Sequence, residues 1–187
     1  MAEPLAGPPT GILRARLVLA SASPRRRDLL AQIGVVPDAI LSPDIDETPR
    51  RDELPRQYVA RLANAKADAA ALLAPGDAML LAADTTVALG RRILPKAEDE
   101  ATARRCLTLL SGRRHTVMTA VVLRLADGSR TSRLVESVVG LSRLTDHQLD
   151  SLIAAGDWHG KAGGYALQGH MAAVSYTHLT LPTNREV

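Results

Sequence analysis

The 187-residue sequence contains no phenylalanine, one tryptophan and three tyrosines. A core must therefore be built from Leu, Val, Ile and Ala, and base-stacking platforms for single-stranded nucleic acid have few candidates. The single cysteine, Cys106, excludes an internal disulfide and offers no zinc spacing, which fits a reducing cytoplasm. It falls in an amphipathic helical pattern with no electropositive helix start beside it, so it reads as core filler rather than nucleophile. No apolar run approaches bilayer-spanning length, and a membrane is not an expected partner. Ile12 to Ser23 imitates a signal peptide, yet its uncharged core is only about five residues, too short for an h-region. The expected location is the cytoplasm. Neither sign of charge dominates: 23 Lys and Arg stand against 20 Asp and Glu, net +3. Nucleic-acid binding is permitted by that balance but not demanded.

What is present begins with Leu17 to Leu30, LVLASASPRRRDLL. Leu17 to Leu19 suit a short buried strand, Ser23 is a good N-cap, and Pro24 sits at N1, where a missing N–H costs nothing. A helix starting there offers free N–H groups and a positive dipole end, with Arg25, Arg26 and Arg27 adding full charges. An anion fits that layout; a capped helix with a solvated arginine face fits it too.

The length suits one α/β domain. Residues 1–15 read as a loose leader, 16–174 as a single domain and 175–187 as an atypical tail. Ala39 to Ser42 suits a short strand, and Pro43 to Pro55 a polar loop rich in acids. Pro55 to Leu73 has helical spacing through Tyr58, Leu62, Ala65, Ala69 and Leu72, with Lys66 on its exposed face. Met79 to Ala83 reads as a central strand buried on both faces and ended by Asp84-Thr85-Thr86. Val87 to Leu94 reads as a hairpin about Gly90, and Glu98 to Leu110 as a helix. His115 to Leu125 and Arg130 to Leu141 read as antiparallel strands joined by Ala126-Asp127-Gly128-Ser129. Thr145 to Ala154 carries a capping box, and Leu167-Gln168-Gly169 leads into a final small strand.

Singly, the polar positions are ordinary. An Asp after a strand is usually a turn residue, and Lys66 and Lys96 are by default solvated. Lys161, before a glycine pair, is harder to dismiss, since glycines permit close approach to a ligand. Together they describe a site: Glu47 and Asp84 offer hard oxygen ligands to a divalent metal, while Arg25, Arg26, Lys66, Lys96 and Lys161 neutralise a polyphosphate.

LASASPRRRDLL, AADTTVALGRRILPKAEDEATARRCLTLLSGRRHTV and GKAGGYALQG occur in the order found in the Maf family of nucleoside triphosphate pyrophosphatases, which the chain resembles from Leu17 to Met171. The resemblance implies an elongated α/β fold like that of inosine-triphosphate pyrophosphatases, a mixed sheet with flanking helices and two lobes around a central cleft. It also implies metal-dependent hydrolysis, with Mg or Mn, of a nucleoside triphosphate to monophosphate and pyrophosphate. By motif, Asp84 is the proton acceptor, Ser23, Arg25 and Arg26 hold phosphates, and Lys66, Lys96 and Lys161 complete the pocket. Glu47 is the expected second metal ligand beside Asp84. Arg26, Thr85 and Gln168 resemble the members that act on dTTP and UTP, and a glutamine amide both donates to and accepts from a uracil or thymine edge. A homodimer is also expected, since dimers are common in relatives.

Two alternatives accompany this reading: the same chemistry on 7-methyl-GTP, and a non-catalytic nucleotide- or nucleic-acid-binding regulator using Arg25 to Arg27. After Gly169 the chain departs from the family pattern, giving HMAAVSYTHLTLPTNREV where a Gly-Ser turn, an apolar segment and a last helix are usual. Gly140-Leu141-Ser142 also lacks the family's usual aromatic, although a leucine there still fills a core.

Overall fold

In the computed structural model, which describes residues 15–178, the elements in chain order begin with β1 (Leu17–Ala20), α1 (Pro24–Gln32), β2 (Ala39–Leu41) and α2 (Pro55–Ala71). There follow β3 (Met79–Leu89), β4 (Arg92–Leu94), β5 (Lys96–Ala97), α3 (Glu100–Leu110), β6 (Arg114–Arg124) and β7 (Arg130–Leu141). Helix α4 (Asp146–Ala155), β8 (Lys161–Ala162), a 3₁₀ turn (His170–Val174) and β9 (Ser175–His178) complete the described chain. The expected leader lies outside the described residues up to position 14, and the expected tail does so from position 179.

The main sheet runs β2-β1-β3-β6-β7-β9, with β4 hairpinned onto β3, and a separate two-stranded ribbon pairs β5 with β8. Strands β1, β2 and β3 are parallel, since the intervening helices supply the crossovers that parallel pairing needs. Beyond β3 the sheet is antiparallel. It is therefore the mixed α/β sheet with flanking helices that the sequence implies. The β3–β4 turn has Gly90 at φ +60° and joins the Leu89–Arg92 pair, the left-handed geometry a two-residue hairpin requires.

Two cores share β3. On one face, Val59, Ala63, Ala67 and Ala70 of α2 pack against Val18, Leu80, Ala82, Ala120 and Val122. On the other, Val87 joins Leu107 and Leu110 of α3, with Leu94, Val139, Ile153 and Tyr165. Burying one such aliphatic side chain contributes about 1.5–3 kcal/mol, so each lobe holds its own wall while β3 runs through both. No helix among the described residues is long and apolar enough to cross a membrane.

Several local expectations need correction. Strand β3 does not stop at Ala83; Asp84, Thr85 and Thr86 continue it, in register with Ala120, Thr119 and Met118 of β6. Their β-branched threonines favour the pleat, and a long β6 is available to pair with them. The buried stripe of α2 is Tyr58, Val59, Leu62, Ala63, Ala67 and Ala70, while Leu72 is 86% exposed. Helix α3 starts at Glu100 because Asp99 caps it, accepting a hydrogen bond from the Thr102 N–H at 2.6 Å. Ser23 occupies the N-cap position of α1 without a side-chain cap. A 3₁₀ turn precedes the last strand. The Thr145 capping box with Gln148 forms as expected.

Candidate active site

Asp84 lies halfway along β3 and is 4% exposed. Period-two alternation puts it in one row with Leu80, Ala82, Thr86 and Ala88, so a carboxylate interrupts an otherwise largely apolar wall. A charge so placed needs a partner. Lys66 supplies it: Nζ donates to Asp84 Oδ1 at 2.5 Å and also contacts Glu47 Oε1 at 2.9 Å. Lys66 borders the buried stripe of α2, one turn beyond Leu62, and its side chain is 12% exposed. The solvated face expected for Lys66 is therefore incorrect.

Glu47 carries the chain of charges onward, accepting from Lys96 Nζ through Oε2 at 2.5 Å. Burial pushes the Glu47 carboxyl up, but hydrogen bonds from Lys96 and Lys66 outweigh it and hold the group below the ordinary range. Thr86 Oγ1 approaches Asp84 Oδ2 at a long 3.5 Å. The less tightly held oxygen of Asp84 is thus Oδ2. A cavity of about 220 Å³ opens over these groups, lined by Glu47, Tyr58, Asp84, Thr85, Leu94, Lys96 and Ala162.

The opening SASPRR stretch adjoins the cavity through Thr85. Arg26 donates to Ser21 Oγ at 2.8 Å and to Thr85 Oγ1 at 3.4 Å, and Thr85 in turn shares a hydrogen bond of 3.0 Å with Thr119. Burial lowers the Arg26 guanidinium from its ordinary value, against the charges of Asp84 and Glu47. A guanidinium stays protonated at any ordinary pH, so a half-buried cation acts on the two carboxylates.

The structure therefore brings Glu47, Asp84, Lys66, Lys96, Arg26 and Thr85 together. It leaves four expected residues outside this cluster. Ser23 is partly exposed at the start of α1, its N–H bonded to Ser21 Oγ, and Arg25 is exposed beside Arg26. Lys161 precedes the cavity-lining Ala162, and its charge acts on Asp157. Gln168 is exposed on the turn after Tyr165.

Sequence reasoning overlooked the residues that position this cluster. Tyr58 donates to the Glu47 carbonyl at 2.8 Å, and Arg61 grips Glu53 through Nε at 2.7 Å and Nη2 at 2.8 Å while also reaching the Thr48 carbonyl. The acidic loop is thus pinned to α2 at Glu47 itself and at Thr48 and Glu53 beyond it. Tyr58 and Arg61 sit three residues apart on one helix face, a signal available in the sequence; Ser21 and Thr119 gave none beyond their hydroxyls.

For a divalent metal, no cluster of three or more His, Cys, Asp or Glu side chains occurs among the described residues. Two carboxylates bridged by one lysine are present instead. That donor set suits Mg²⁺ or Mn²⁺, hard cations that take one or two carboxylates and complete their shell with water and phosphate oxygens.

The family model described as Maf-like protein matches residues 16–179. The chain is 62% identical over 164 residues to a protein of Gluconobacter oxydans named dTTP/UTP pyrophosphatase, covering 86% of this chain and 75% of that one. It is 61% identical over 153 residues to a protein of the same name from Caulobacter vibrioides, covering 82% and 79%. Among solved structures it is similar to the Staphylococcus aureus Ham1 protein, with a TM-score of 0.45, 15% identity, and coverage of 67% and 71%. With its motif blocks on the sheet and nearly the whole described chain matched, the protein belongs to the Maf-like family.

Proposed function

We propose that this chain hydrolyses dTTP and UTP to the nucleoside monophosphate and pyrophosphate. The observation that carries this reading is the Asp84 carboxylate, buried in a cleft, paired with Lys66 and within the field of Arg26, with Lys96 held on the neighbouring Glu47. A binding-only protein has no use for a buried carboxylate among cations that hold phosphates. A hydrolase does.

Asp84 Oδ2 accepts the proton of the water that attacks the α-phosphorus, while Oδ1 stays fixed by Lys66. Lys96 and Arg26, with the N-terminus of α1, compensate the charge of the departing pyrophosphate. Ser23, Arg25 and Lys161 extend the phosphate contacts from the cleft margins. Glu47 and Asp84 are the residues that would hold Mg²⁺ or Mn²⁺. When bound, the metal supplies charge neutralisation on the phosphate oxygens. Thr85 and Gln168 face the pyrimidine edge. The protein works in the cytoplasm, as its single cysteine favours, and as a homodimer, which light scattering tests.

Pyrophosphate release across a panel of nucleotides, with Mg²⁺ or Mn²⁺, tests the reading. Turnover of dTTP and UTP is expected, with at least a hundredfold loss in Asp84→Asn. A preference for 7-methyl-GTP overturns the substrate assignment. An Asp84→Asn chain as fast as the parent overturns the role of Asp84.

A further inference from the structure

His115 and Tyr165 form a buried polar pair that the proposed chemistry does not use. They are 3% and 8% exposed, and His115 Nε2 lies 2.5 Å from the Tyr165 hydroxyl, with the rings edge to face at 5.5 Å. Burial lowers the His115 pKa to about 4 against a smaller contrary effect of the Arg113 backbone, so the ring is neutral near pH 7. Its Nδ1 makes no hydrogen bond of good geometry. The Tyr165 contact is thus what satisfies this ring, and the two groups are 50 positions apart in the chain.

The location of Tyr165 gives the pair a consequence. It directly follows Gly163 and Gly164, both near φ +70°, at the end of the β5–β8 ribbon. A Cβ on Gly163 would stand 2.9 Å from Val87 of β3, and one on Gly164 would stand 3.1 Å from the Ala103 backbone of α3. The turn is therefore pressed onto the strand of Asp84 and onto α3. Gly163 N–H donates to the Pro95 carbonyl and Gly160 N–H, on the other side of β8, to the Ala97 carbonyl, so the residues flanking β8 hold both ends of β5. Strand β5 begins with Lys96, whose ammonium contacts Glu47, and its partner in register is the cavity-lining Ala162.

We propose that His115 and Tyr165 are positioning residues for nucleotide binding, their hydrogen bond locking the β5–β8 ribbon onto β3 and β6 and so fixing where Lys96 presents its ammonium across the cleft from Asp84. Removal of the Tyr165 hydroxyl leaves every group of the cleft in place chemically but frees the ribbon that carries Lys96. Substrate capture suffers before the chemical step does. The kinetic part of this inference rests on the pyrophosphatase reading; the mechanical part does not.

The test compares Tyr165→Phe and His115→Gln, whose amide keeps an acceptor, with the parent chain. For dTTP and UTP, Tyr165→Phe is expected to raise KM about tenfold with kcat within threefold, and to change KM by less than twofold when Lys96→Ala is already present. His115→Gln is expected to keep KM within about threefold of the parent. A purely structural role predicts a lower melting temperature with KM unmoved, or an effect undiminished beside Lys96→Ala, and either result overturns the proposal. Hydrogen exchange supplies a readout free of activity: the amides of Ala97, Gly160 and Gly163 are expected to exchange at least tenfold faster in Tyr165→Phe, with β6 unchanged. Unaltered exchange there overturns the lock. If Tyr165→Phe does not fold, a tenfold rise in KM or in ribbon exchange in His115→Gln does so instead. If the parent turns over neither nucleotide, the functional reading fails on its own and the exchange result still decides the lock.

Discussion

Lys66 Nζ stands 2.5 Å from Asp84 Oδ1 and 2.9 Å from Glu47 Oε1, so one ammonium from α2 separates two carboxylates that would otherwise face each other unscreened. Breaking a buried pair by removing one partner typically costs about 3–5 kcal/mol, because the remaining charge stays desolvated. Lys66→Met is therefore expected to lower the melting temperature by several degrees and to reduce dTTP turnover at least a hundredfold. Adding Asp84→Asn removes the stranded charge. The double variant is expected to recover stability without recovering turnover, and a double variant no more stable than Lys66→Met would show that the pair is not the source of the loss.

The loop carrying Glu47 has its own anchor in Arg61 and Glu53. The Arg61 hydrogen bonds hold the Glu53 carboxyl down at about 2, so the pair stays charged well below the ordinary carboxylate range. Arg61→Ala also removes the contact to the Thr48 carbonyl, next to Glu47. Charge-assisted hydrogen bonds contribute about 1.5–3 kcal/mol each in mutational series, less where solvent reaches them. We expect a stability loss of about 1–2 kcal/mol by urea denaturation and a turnover reduction of about tenfold, since Glu47 loses its fixed position. Unchanged turnover with the full stability loss would separate the anchor from the site.

Much of this arrangement was legible in the residues. The Gly90 hairpin and the Thr145 capping box are local signals that form as their chemistry dictates, and α1 starts at Pro24 as expected although Ser23 supplies no side-chain cap. Asp84 stood out as a carboxylate against an apolar run. That β3 continues through Asp84 was not legible, because it depends on the long partner β6. Lys66 was misplaced for a related reason. Helical spacing gives the stripe only to within a residue or two, and a lysine on its border is drawn inward only by carboxylates brought from elsewhere in the chain. The separation of Lys161 and Gln168 from the Asp84 cluster is likewise set by the ribbon and the turns after it.

Gly163 offers a direct probe of how closely the ribbon approaches β3. Its φ of +70° disfavours any other residue, and a Cβ would meet Val87 at 2.9 Å. Left-handed geometry and overpacking each cost about 1–3 kcal/mol. Gly163→Ala is expected to lose about 2–4 kcal/mol, read by thermal melting. Val87→Ala relieves the clash but not the backbone strain, so Gly163→Ala made in that background should recover about half of its cost when compared with Val87→Ala alone, which itself loses core packing. No recovery would mean that backbone conformation alone selects the glycine.

The buried imidazole of His115 makes stability depend on pH in a window of its own. Burial holds its folded pKa at about 4, whereas an unfolded histidine titrates near ~6.5. Below ~6.5 the unfolded chain therefore gains a proton that the folded chain refuses until about 4. The sign follows: stability is unaffected by this group above ~pH 7 and falls as the pH drops, by roughly 2 kcal/mol at ~pH 5. The Glu53 carboxyl acts lower, because its folded value of about 2 moves its loss to the range beneath its ordinary 4.5. His115→Gln abolishes the first window and leaves the second. Urea midpoints measured from ~pH 7.5 down to ~pH 5 are expected to fall steeply in the parent and far less in the variant. Parallel slopes in the two chains would mean that His115 takes up its proton in the folded state as readily as in the unfolded one, and that the Tyr165 hydroxyl does not require a neutral ring.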